Sequence, residues 1–199
     1  MAGQALRIGV LASQGDFEAH CRMLAALGAE TSEVRLPGDL EELDGLVIPG
    51  GESTTISKAL ARDGLDEAIR SYAGAGGAIL GTCAGMIVLD REHLGLLDVR
   101  AERNAFVRQR QSFEQDLEVE GLGPDPLRAV FIRAPWVGEH GDRVEVLASH
   151  DRHPVVVRES AILACSFHPE ITDDSRLHAL FMAIADSARN KRAASALPN

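Results

Sequence analysis

The chain has 199 residues, with 20 Lys and Arg against 30 Asp and Glu, so its formal net charge is −10 with neutral histidines. This length suits one domain, and the 45% hydrophobic content provides a core that needs no disulfide or structural metal. The acidic excess offers no cluster of Lys and Arg to grip a phosphate backbone, so we expect no nucleic-acid partner. No apolar run approaches the roughly 20 residues that span a bilayer, and the N-terminus does not resemble a signal peptide. We therefore expect a cytoplasmic protein without membrane contact.

In the first half of the chain, short and wholly apolar runs alternate with segments of helical spacing. Continuous apolar runs indicate strands buried on both faces, and their alternation with helices indicates a parallel sheet covered on both sides. Ser53 or Thr54 is the predicted N-cap of the helix after the third strand. The predicted strands are 6–11, 31–36, 45–48 and 78–80, and the predicted helices are 17–27, the segment after 53, 65–73 and 86–89.

After Leu96 the pattern changes to strand-like runs separated by turn residues, which indicates mostly β structure that is partly antiparallel. An apolar strand then runs into His168, and small and polar residues from about Ala188 onward indicate a frayed tail. We see no internal repeat and no linker, so we expect a single α/β domain over residues 1–199. The predicted strands of this half are 117–120, 129–132, 144–147, 155–157 and 161–167, and the predicted helix is 177–184.

The five residues from Gly81 to Gly85 have the form G-x-C-x-G between a buried strand and a helix. This is the arrangement of a nucleophile elbow, with the sulfur of Cys83 in place of a serine oxygen. The glycines allow a sharp turn, and the central residue can then adopt a strained backbone that projects its side chain above the sheet. The positive end of the following helix favours a thiolate. The alternative is a small buried cysteine in a tight turn.

A cysteine nucleophile needs a base and a group that orients the base, and His168 and Glu170 supply both. In an extended segment, residues two apart point to the same side, so the Glu170 carboxylate can reach the imidazole. Pro169 restricts the backbone of both itself and His168. This pair and Cys83 each follow an apolar strand, and the carboxyl ends of parallel strands share one edge of a sheet. The alternative is a chance pairing of a strand-end histidine with a solvated glutamate.

A third strand end carries Gly50 and Gly51, whose backbone N–H groups can point at a developing oxyanion. The N–H of Ala84, directly after the nucleophile, is the second candidate donor. The alternative is an ordinary glycine turn before a capped helix.

The other titratable residues carry weaker signals. Cys21 and Cys165 are expected in the core, with Cys165 facing away from His168. The segment 150–153 contains two histidines and an aspartate, but we interpret it as a solvated loop because no third ligand lies nearby in sequence. We therefore expect no metal site and no cofactor. The remaining histidines carry no motif: His20, His93, His140 and His178.

With Cys83, His168 and Glu170 in this order, the chain resembles the triad-type glutamine amidotransferases, which hydrolyse glutamine to glutamate and ammonia. That resemblance implies a flavodoxin-like three-layer sandwich with a mostly parallel central sheet and an additional, partly antiparallel β region. Finer motifs resemble the glutaminase subunits of pyridoxal 5′-phosphate synthase, over the chain from about Ile8 to the last helix. They are PGGESTT (49–55), GTCAG (81–85), LGLL (94–97), ERN (102–104), SFE (112–114), FIRAP (131–135) and CSFHPE (165–170).

The resemblance implies that Cys83 is the nucleophile, that His168 is the general base and acid, and that Glu170 orients His168. The resemblance also implies that Arg103 binds the substrate. This role fits its charge, because the α-carboxylate of free glutamine requires a cationic partner. The remaining implied glutamine-binding residues are Gly51, Glu52 and Ser53 in one loop and Ile132 and Arg133 on the other side of the pocket. Gly51 and Ala84 stay the candidate oxyanion donors.

The resemblance also implies a partner, a (β/α)₈-barrel synthase that receives the ammonia through an internal path. The glutaminase becomes active on docking, and Gln14 and Gly15 resemble the family's loop at that interface. The chain departs from the family pattern at Ser13, at Val107 and in the short stretch 90–93, which bear on the partner-facing surface rather than on the triad. The alternatives are a glutaminase that serves another biosynthetic pathway and a non-catalytic flavodoxin-like binding or redox-sensing protein.

Overall fold

A computed structural model of the chain describes residues 4–103 and 112–195. Its strands are β1 (Arg7–Leu11), β2 (Glu30–Val34), β3 (Gly45–Ile48), β4 (Ala78–Thr82), β5 (Val99–Glu102), β6 (Ser112–Leu117), β7 (Leu127–Ile132), β8 (Trp136–His140), β9 (Glu145–His150), β10 (His153–Glu159) and β11 (Ile162–Cys165). Its α-helices are α1 (Phe17–Ala26), α2 (Ser53–Asp63), α3 (Leu65–Gly74), α4 (Ala84–Leu89) and α5 (Arg176–Ser195), and short 3₁₀ turns occupy Pro37–Leu40 and Pro169–Ile171.

The centre of the protein is a seven-stranded sheet in the order β2-β1-β3-β4-β11-β10-β9. The pairs from β2 to β11 are parallel, whereas β10 pairs antiparallel with both β11 and β9. The four residues of β3 and the five of β4 are all buried, which agrees with their continuous apolar sequence. The predicted parallel sheet with an antiparallel extension is therefore confirmed.

The two faces of the sheet carry separate apolar clusters. Side chains alternate between the faces, so Val47 belongs to one cluster and its neighbours Leu46 and Ile48 to the other. Buried residues of α1 and α5 fill the first cluster, and those of α2, α3 and α4 fill the second. The result is the three-layer α/β sandwich that the sequence predicts.

Two small antiparallel ribbons lie outside the main sheet, β5 with β8 and β6 with β7. β5 and β8 are not predicted from the sequence, because they are short and mix charged with apolar residues. The predicted strand at 117–120 is also wrong, since β6 ends at Leu117, and the alternating exposure of β6 fits a half-solvated strand.

The end of the chain corrects another expectation, since α5 continues to Ser195 instead of fraying from about Ala188. Ala188 is buried, and the next turns are held by arginines. Arg192 donates hydrogen bonds to the carbonyl oxygens of Gly76 and Leu43, and Arg189 donates to that of Gln4. These tertiary contacts hold a segment whose local sequence alone indicates fraying. None of the helices in the two described ranges is long and apolar enough to cross a membrane.

Candidate active site

The carboxyl ends of β3, β4 and β11 meet at one edge of the sheet, and a cleft of about 470 Å³ opens there. Strand ends at the middle of a parallel sheet commonly form ligand sites, because the following loops diverge from a common edge. The cleft brings together almost every residue that the sequence marks as functional. Its lining consists of Gln14, Gly15, Gly51, Glu52, Ser53, Cys83, Ala84, Ile87, Arg103, Ile132, Arg133, Pro135 and His168.

Cys83 occupies a sharp turn between β4 and α4. Its φ of 48° and ψ of −108° lie outside the regions that non-glycine residues ordinarily adopt, as the elbow motif predicts. Its N–H donates to the carbonyl oxygen of Cys165, with 2.8 Å between nitrogen and oxygen, which ties the elbow to β11. A Cβ on Gly85 would lie 2.0 Å from the carbonyl oxygen of Ile48, so the turn requires glycine there.

His168 and Glu170 follow β11 and form the expected pair. Nδ1 of His168 lies 2.7 Å from Oε1 of Glu170, whose side chain is almost fully buried. The pair is correct, but the predicted extended geometry is wrong, because Pro169 begins a 3₁₀ turn. The N–H of His168 donates to the carbonyl oxygen of Val130, which fixes where the turn starts.

Because Gly50 has no side chain, the imidazole of His168 can lie next to Cys83. A Cβ at Gly50 would lie 2.5 Å from Cε1 of His168 and 3.4 Å from Cβ of Cys83. The two side chains therefore occupy one small volume beside this glycine, although they are 85 positions apart in sequence.

The protonation of His168 is set by competing effects. Burial opposes a charged imidazole, but hydrogen bonds with Cys83 and Glu170 outweigh it and raise the pKa of His168 to about 10. The imidazole is therefore protonated at neutral pH, so it holds a proton that it can donate in the cleft.

The loop after β3 presents Gly51, Glu52 and Ser53 to the cleft. Glu52 is the N-cap of α2, in place of the predicted Ser53 or Thr54, since its carboxylate accepts hydrogen bonds from the N–H groups of Thr54 and Thr55. The hydroxyl of Thr55 also donates to it, and these bonds together lower the pKa of Glu52 to about 2. A fixed negative charge therefore stands at one wall.

Gln14 connects this loop to the segment after β1. Its Oε1 accepts a hydrogen bond of 2.8 Å from the N–H of Glu52. Gly15 packs against the same loop, since a Cβ there would lie 2.0 Å from the carbonyl oxygen of Gly50. The structure thus places both residues at the cleft.

Arg103 provides an exposed cation at the cleft and is held from two sides. It donates to Oγ1 of Thr54 at 3.0 Å, and its other terminal nitrogen lies 3.1 Å from Nε2 of His93. Nδ1 of His93 lies 2.7 Å from Oδ1 of Asp90, a buried carboxylate. Because Asp90 accepts the Nδ1–H, Nε2 is free to accept from Arg103. The contact of His93 with Arg103 is not predicted from the sequence, because no local motif marks this histidine.

The opposite wall consists of Ile132, the last residue of β7, and Arg133, which follows the strand. The carbonyl oxygen of Ile132 lies 3.9 Å from Sγ of Cys83. Arg133 has a φ of 46°, which is rare for a non-glycine residue and turns the chain at the rim. Gly51 and Ala84, the candidate oxyanion donors, both line the space between this wall and the loop after β3.

Behind the cleft lie two buried histidines that the sequence analysis also left without a role. Nδ1 of His20 is 2.9 Å from Nε2 of His178, and Nε2 of His20 is 3.4 Å from Oε2 of Glu170. The helical spacing of α1 shows that His20 faces the core, but no sequence pattern pairs it with Glu170 or with a residue 158 positions away.

The weaker candidates fall outside the cleft. Cys165 is buried in the core as predicted, and Cys21 is half-buried against it. His150 and His153 end and begin the two strands of a hairpin, and their rings contact Phe113 and Trp136 respectively. Within residues 4–103 and 112–195, no group of three or more His, Cys, Asp or Glu side chains is arranged to hold a metal ion. Asn104 and Val107 lie outside the described residues.

This fold, with a cysteine elbow facing a His–Glu pair at the sheet edge, defines a glutamine amidotransferase. A solved structure described as a crystal structure of glutamine amidotransferase superposes with a TM-score of 0.86 and 48% identity, covering 90% of this chain and 98% of that one. The chain belongs to the SNO glutamine amidotransferase family, whose model matches residues 10–186.

Curated relatives agree with this assignment. The chain is 49% identical over 191 residues to "Pyridoxal 5'-phosphate synthase subunit PdxT" of Niallia circulans, covering 92% of this chain and all of the relative. It is 48% identical over 184 residues to the protein of the same name from Thermotoga petrophila, covering 89% of this chain and 98% of the relative.

Proposed function

We propose that this chain is the glutaminase subunit of a pyridoxal 5′-phosphate synthase and hydrolyses L-glutamine through Cys83, His168 and Glu170. The observation that carries the proposal is the imidazole of His168, which bonds Glu170 at 2.7 Å and lies with Cys83 in the small volume beside Gly50, in a cleft rimmed by a cation. The family match and the curated relatives support both the reaction and the pathway.

The first half of the reaction forms a thioester. The Cys83 thiolate attacks the carbon of the glutamine side-chain amide, and the amide oxygen takes up the negative charge. Backbone N–H groups of Gly51 and Ala84 are the proposed donors to that oxygen, and such donors typically contribute about 10²–10³ in rate. His168 then gives its proton to the departing nitrogen, and ammonia leaves as the carbon–nitrogen bond breaks.

The second half regenerates the enzyme. Now neutral at Nε2, His168 takes a proton from water, which attacks the γ-glutamyl thioester and releases glutamate and the Cys83 thiolate. Glu170 accepts the Nδ1–H throughout and keeps the other ring nitrogen directed at the cleft. The same imidazole therefore serves as acid in one half and as base in the other.

The residues at the open part of the cleft are proposed to bind free glutamine. Arg103 suits the α-carboxylate, and the fixed charge of Glu52, with carbonyl groups nearby, suits the α-ammonium. Ser53, Ile132 and Arg133 complete the proposed pocket. No step requires a cofactor.

The proposed partner is a (β/α)₈-barrel synthase that takes up the ammonia before it becomes ammonium in bulk solvent. Gln14 and Gly15 are proposed to contact it, since they are exposed or half-exposed beside the cleft. We further propose that residues 1–199 form one domain. A cytoplasmic location and the absence of nucleic-acid partners stay predictions.

The test is glutamine hydrolysis measured as glutamate and ammonia, with and without a barrel synthase. We expect turnover that depends on the synthase and is lost in Cys83→Ala, with docking retained. A glutaminase of another pathway would respond to a different synthase, which mixing with histidine- and purine-pathway partners checks. A non-catalytic binding protein would show no turnover with any partner and no effect of His168→Ala.

A further inference from the structure

Two buried histidines stand directly behind the proposed triad. His20 on α1 and His178 on α5 are fully buried, and their rings are joined by a contact of 2.9 Å between Nδ1 of His20 and Nε2 of His178. Nε2 of His20 faces Oε2 of Glu170 at 3.4 Å and Oγ1 of Thr82 at 3.3 Å. Oε2 is the carboxylate oxygen that His168 does not bind, and within the described residues it has no hydrogen-bond partner of its own.

Both histidines are neutral at physiological pH. Burial disfavours the charged ring and lowers the pKa of His20 to about 4, against the opposing attraction of Glu170. Burial likewise lowers the pKa of His178 to about 4. Each ring therefore carries one proton, and the arrangement depends on which nitrogen holds it.

The contacts favour one direction for the hydrogen bonds. If Nε2–H of His178 donates to Nδ1 of His20, then Nε2 of His20 carries an N–H that faces both Oε2 of Glu170 and Oγ1 of Thr82. Nδ1 of His178 then keeps a lone pair that has no hydrogen-bond partner. The reverse direction leaves a buried N–H on His178 without an acceptor and turns a lone pair of His20 toward the carboxylate. Orphaned buried N–H groups are rare because they lose their hydration without compensation.

We propose that His20 is a positioning residue for the triad: its Nε2–H donates to Oε2 of Glu170, and His178 holds it in that tautomer. This inference rests on the proposed function for its meaning in catalysis. Glu170 then has one oxygen on His20 and the other on Nδ1 of His168, so the carboxylate cannot rotate away from the imidazole. His178, His20, Glu170 and His168 thus form a row of successive polar contacts, and this row ends at Cys83.

The competing interpretation is that His20 only fills space in the core beneath α1. Two variants separate the interpretations. His20→Gln keeps an N–H at a reach similar to Nε2, whereas His20→Leu keeps the bulk and removes the donor. Leu24→Ala is the matched control, because Leu24 lies one turn further on the same helix and is also fully buried but is not in this row.

The measurement has two readouts. The first is kcat and KM for glutamine in complex with the barrel synthase. The second is the rate at which iodoacetamide alkylates Cys83 at neutral pH in the full-length chain, read by peptide mass spectrometry. Thermal unfolding of each variant is followed in parallel, so that loss of fold is separated from loss of positioning.

We expect His20→Leu to lower kcat by about 10–100-fold with little change in KM, as is usual when an outer hydrogen-bond partner of an active group is lost. Alkylation of Cys83 slows in the same variant, because a loosely held Glu170 supports the His168 cation less well. His20→Gln restores both readouts to within about threefold. His178→Leu gives a smaller loss, and Leu24→Ala lowers the melting temperature without changing either readout.

Equal kcat and equal alkylation rates in His20→Leu and the wild type would overturn the inference. So would losses in His20→Gln as large as those in His20→Leu, because packing alone would then explain them. If the wild type with its synthase hydrolyses no glutamine, the proposed function fails, and the alkylation rates still decide whether His20 acts on the Cys83–His168 pair.

Discussion

The two sides of the cleft are built by opposite means. On the inner side Glu170, His20 and His178 are buried between α1, α5 and the sheet, and their polar atoms face one another. On the outer side Glu52 and Arg103 are exposed and are held by hydroxyl, amide and imidazole groups at the rim. Water and salt weaken the interactions between exposed charges far more than those between buried charges.

The difference indicates a division of labour. Chemistry that moves one proton between fixed atoms requires a site that does not reorganise, and burial provides it. A substrate that carries two opposite charges must enter and leave, so charged groups that stay partly solvated suit its recognition. Changes on the inner side should therefore alter kcat and stability, whereas changes on the outer side should alter KM.

The largest effect is expected where the two sides meet, at Gly50. Gly50→Ala places a methyl group within 2.5 Å of the His168 ring, so the imidazole must move away from Cys83. We expect kcat to fall at least about 100-fold while the protein stays folded, since a misplaced group of about 1 Å has that cost. Steady-state kinetics with the synthase measures it. Gly38→Ala is the control, because nothing lies within 4 Å of its added methyl, and comparable activity of the two variants would contradict the geometry.

The buried histidines should make the free energy of unfolding depend on pH. The pKa of His20 and that of His178 are both lowered to about 4 in the folded state, whereas unfolded histidine has a pKa near 6.5. The unfolded chain therefore binds more protons between these values, and stability falls as pH drops through this range, by about 3 kcal/mol for each histidine. His168, whose pKa is raised to about 10, has the opposite sign: its contribution is complete below about 6.5 and is lost as pH rises toward 10.

Urea unfolding at a series of pH values measures both the loss of stability at acid pH and the loss at alkaline pH. His178→Leu removes one of the two histidines that cause the acid loss, so the decrease in unfolding free energy between pH 6.5 and 4.5 should be reduced by roughly half. The same acid dependence in this variant and the wild type would show that His178 is not buried in its neutral form.

On the open side, Arg103→Ala removes the cation proposed for the α-carboxylate. We expect KM for glutamine to rise about tenfold or more with a smaller change in kcat, because a charge-assisted bond is lost from ground state and transition state alike. Arg100→Ala, which removes an exposed arginine outside the cleft, should leave KM unchanged. A fall in kcat at constant KM would place Arg103 with the chemistry instead of the substrate.

The smallest effect is expected at His93, which holds Arg103 without lining the cleft. His93→Ala should raise KM by about threefold, since the guanidinium keeps its bond to Thr54 and loses only one of two supports. The double variant with Arg103→Ala should then be no worse than Arg103→Ala alone. Additive losses would mean that His93 acts independently of Arg103.

Local sequence patterns predicted the features that local patterns determine. The apolar runs of β3 and β4 identified the parallel core, and the glycines around Cys83 identified the elbow, because backbone geometry at those positions admits few residue types. His168 and Glu170 were paired correctly even though the backbone between them is a 3₁₀ turn, since two residues around a proline stay close in either conformation.

Other features depend on contacts between distant segments and escaped prediction. His20 and His178 meet across 158 positions, and each is an isolated histidine in a helix. The extension of α5 depends on arginines that reach the loops after α3 and before β3. At the start of α2, Glu52 takes the capping role in place of the expected serine or threonine, because its longer carboxylate reaches two N–H groups together.

The most direct test of the account is to trap the γ-glutamyl thioester. The complex with the synthase is incubated with glutamine, quenched in acid and digested. The masses of the three peptides that contain Cys21, Cys83 and Cys165 are then measured by mass spectrometry. We predict the added γ-glutamyl mass on Cys83 alone, with Cys21 and Cys165 unmodified as internal controls. Glutamine turnover without any adduct on Cys83, or an undiminished rate in Cys83→Ala, would contradict the account.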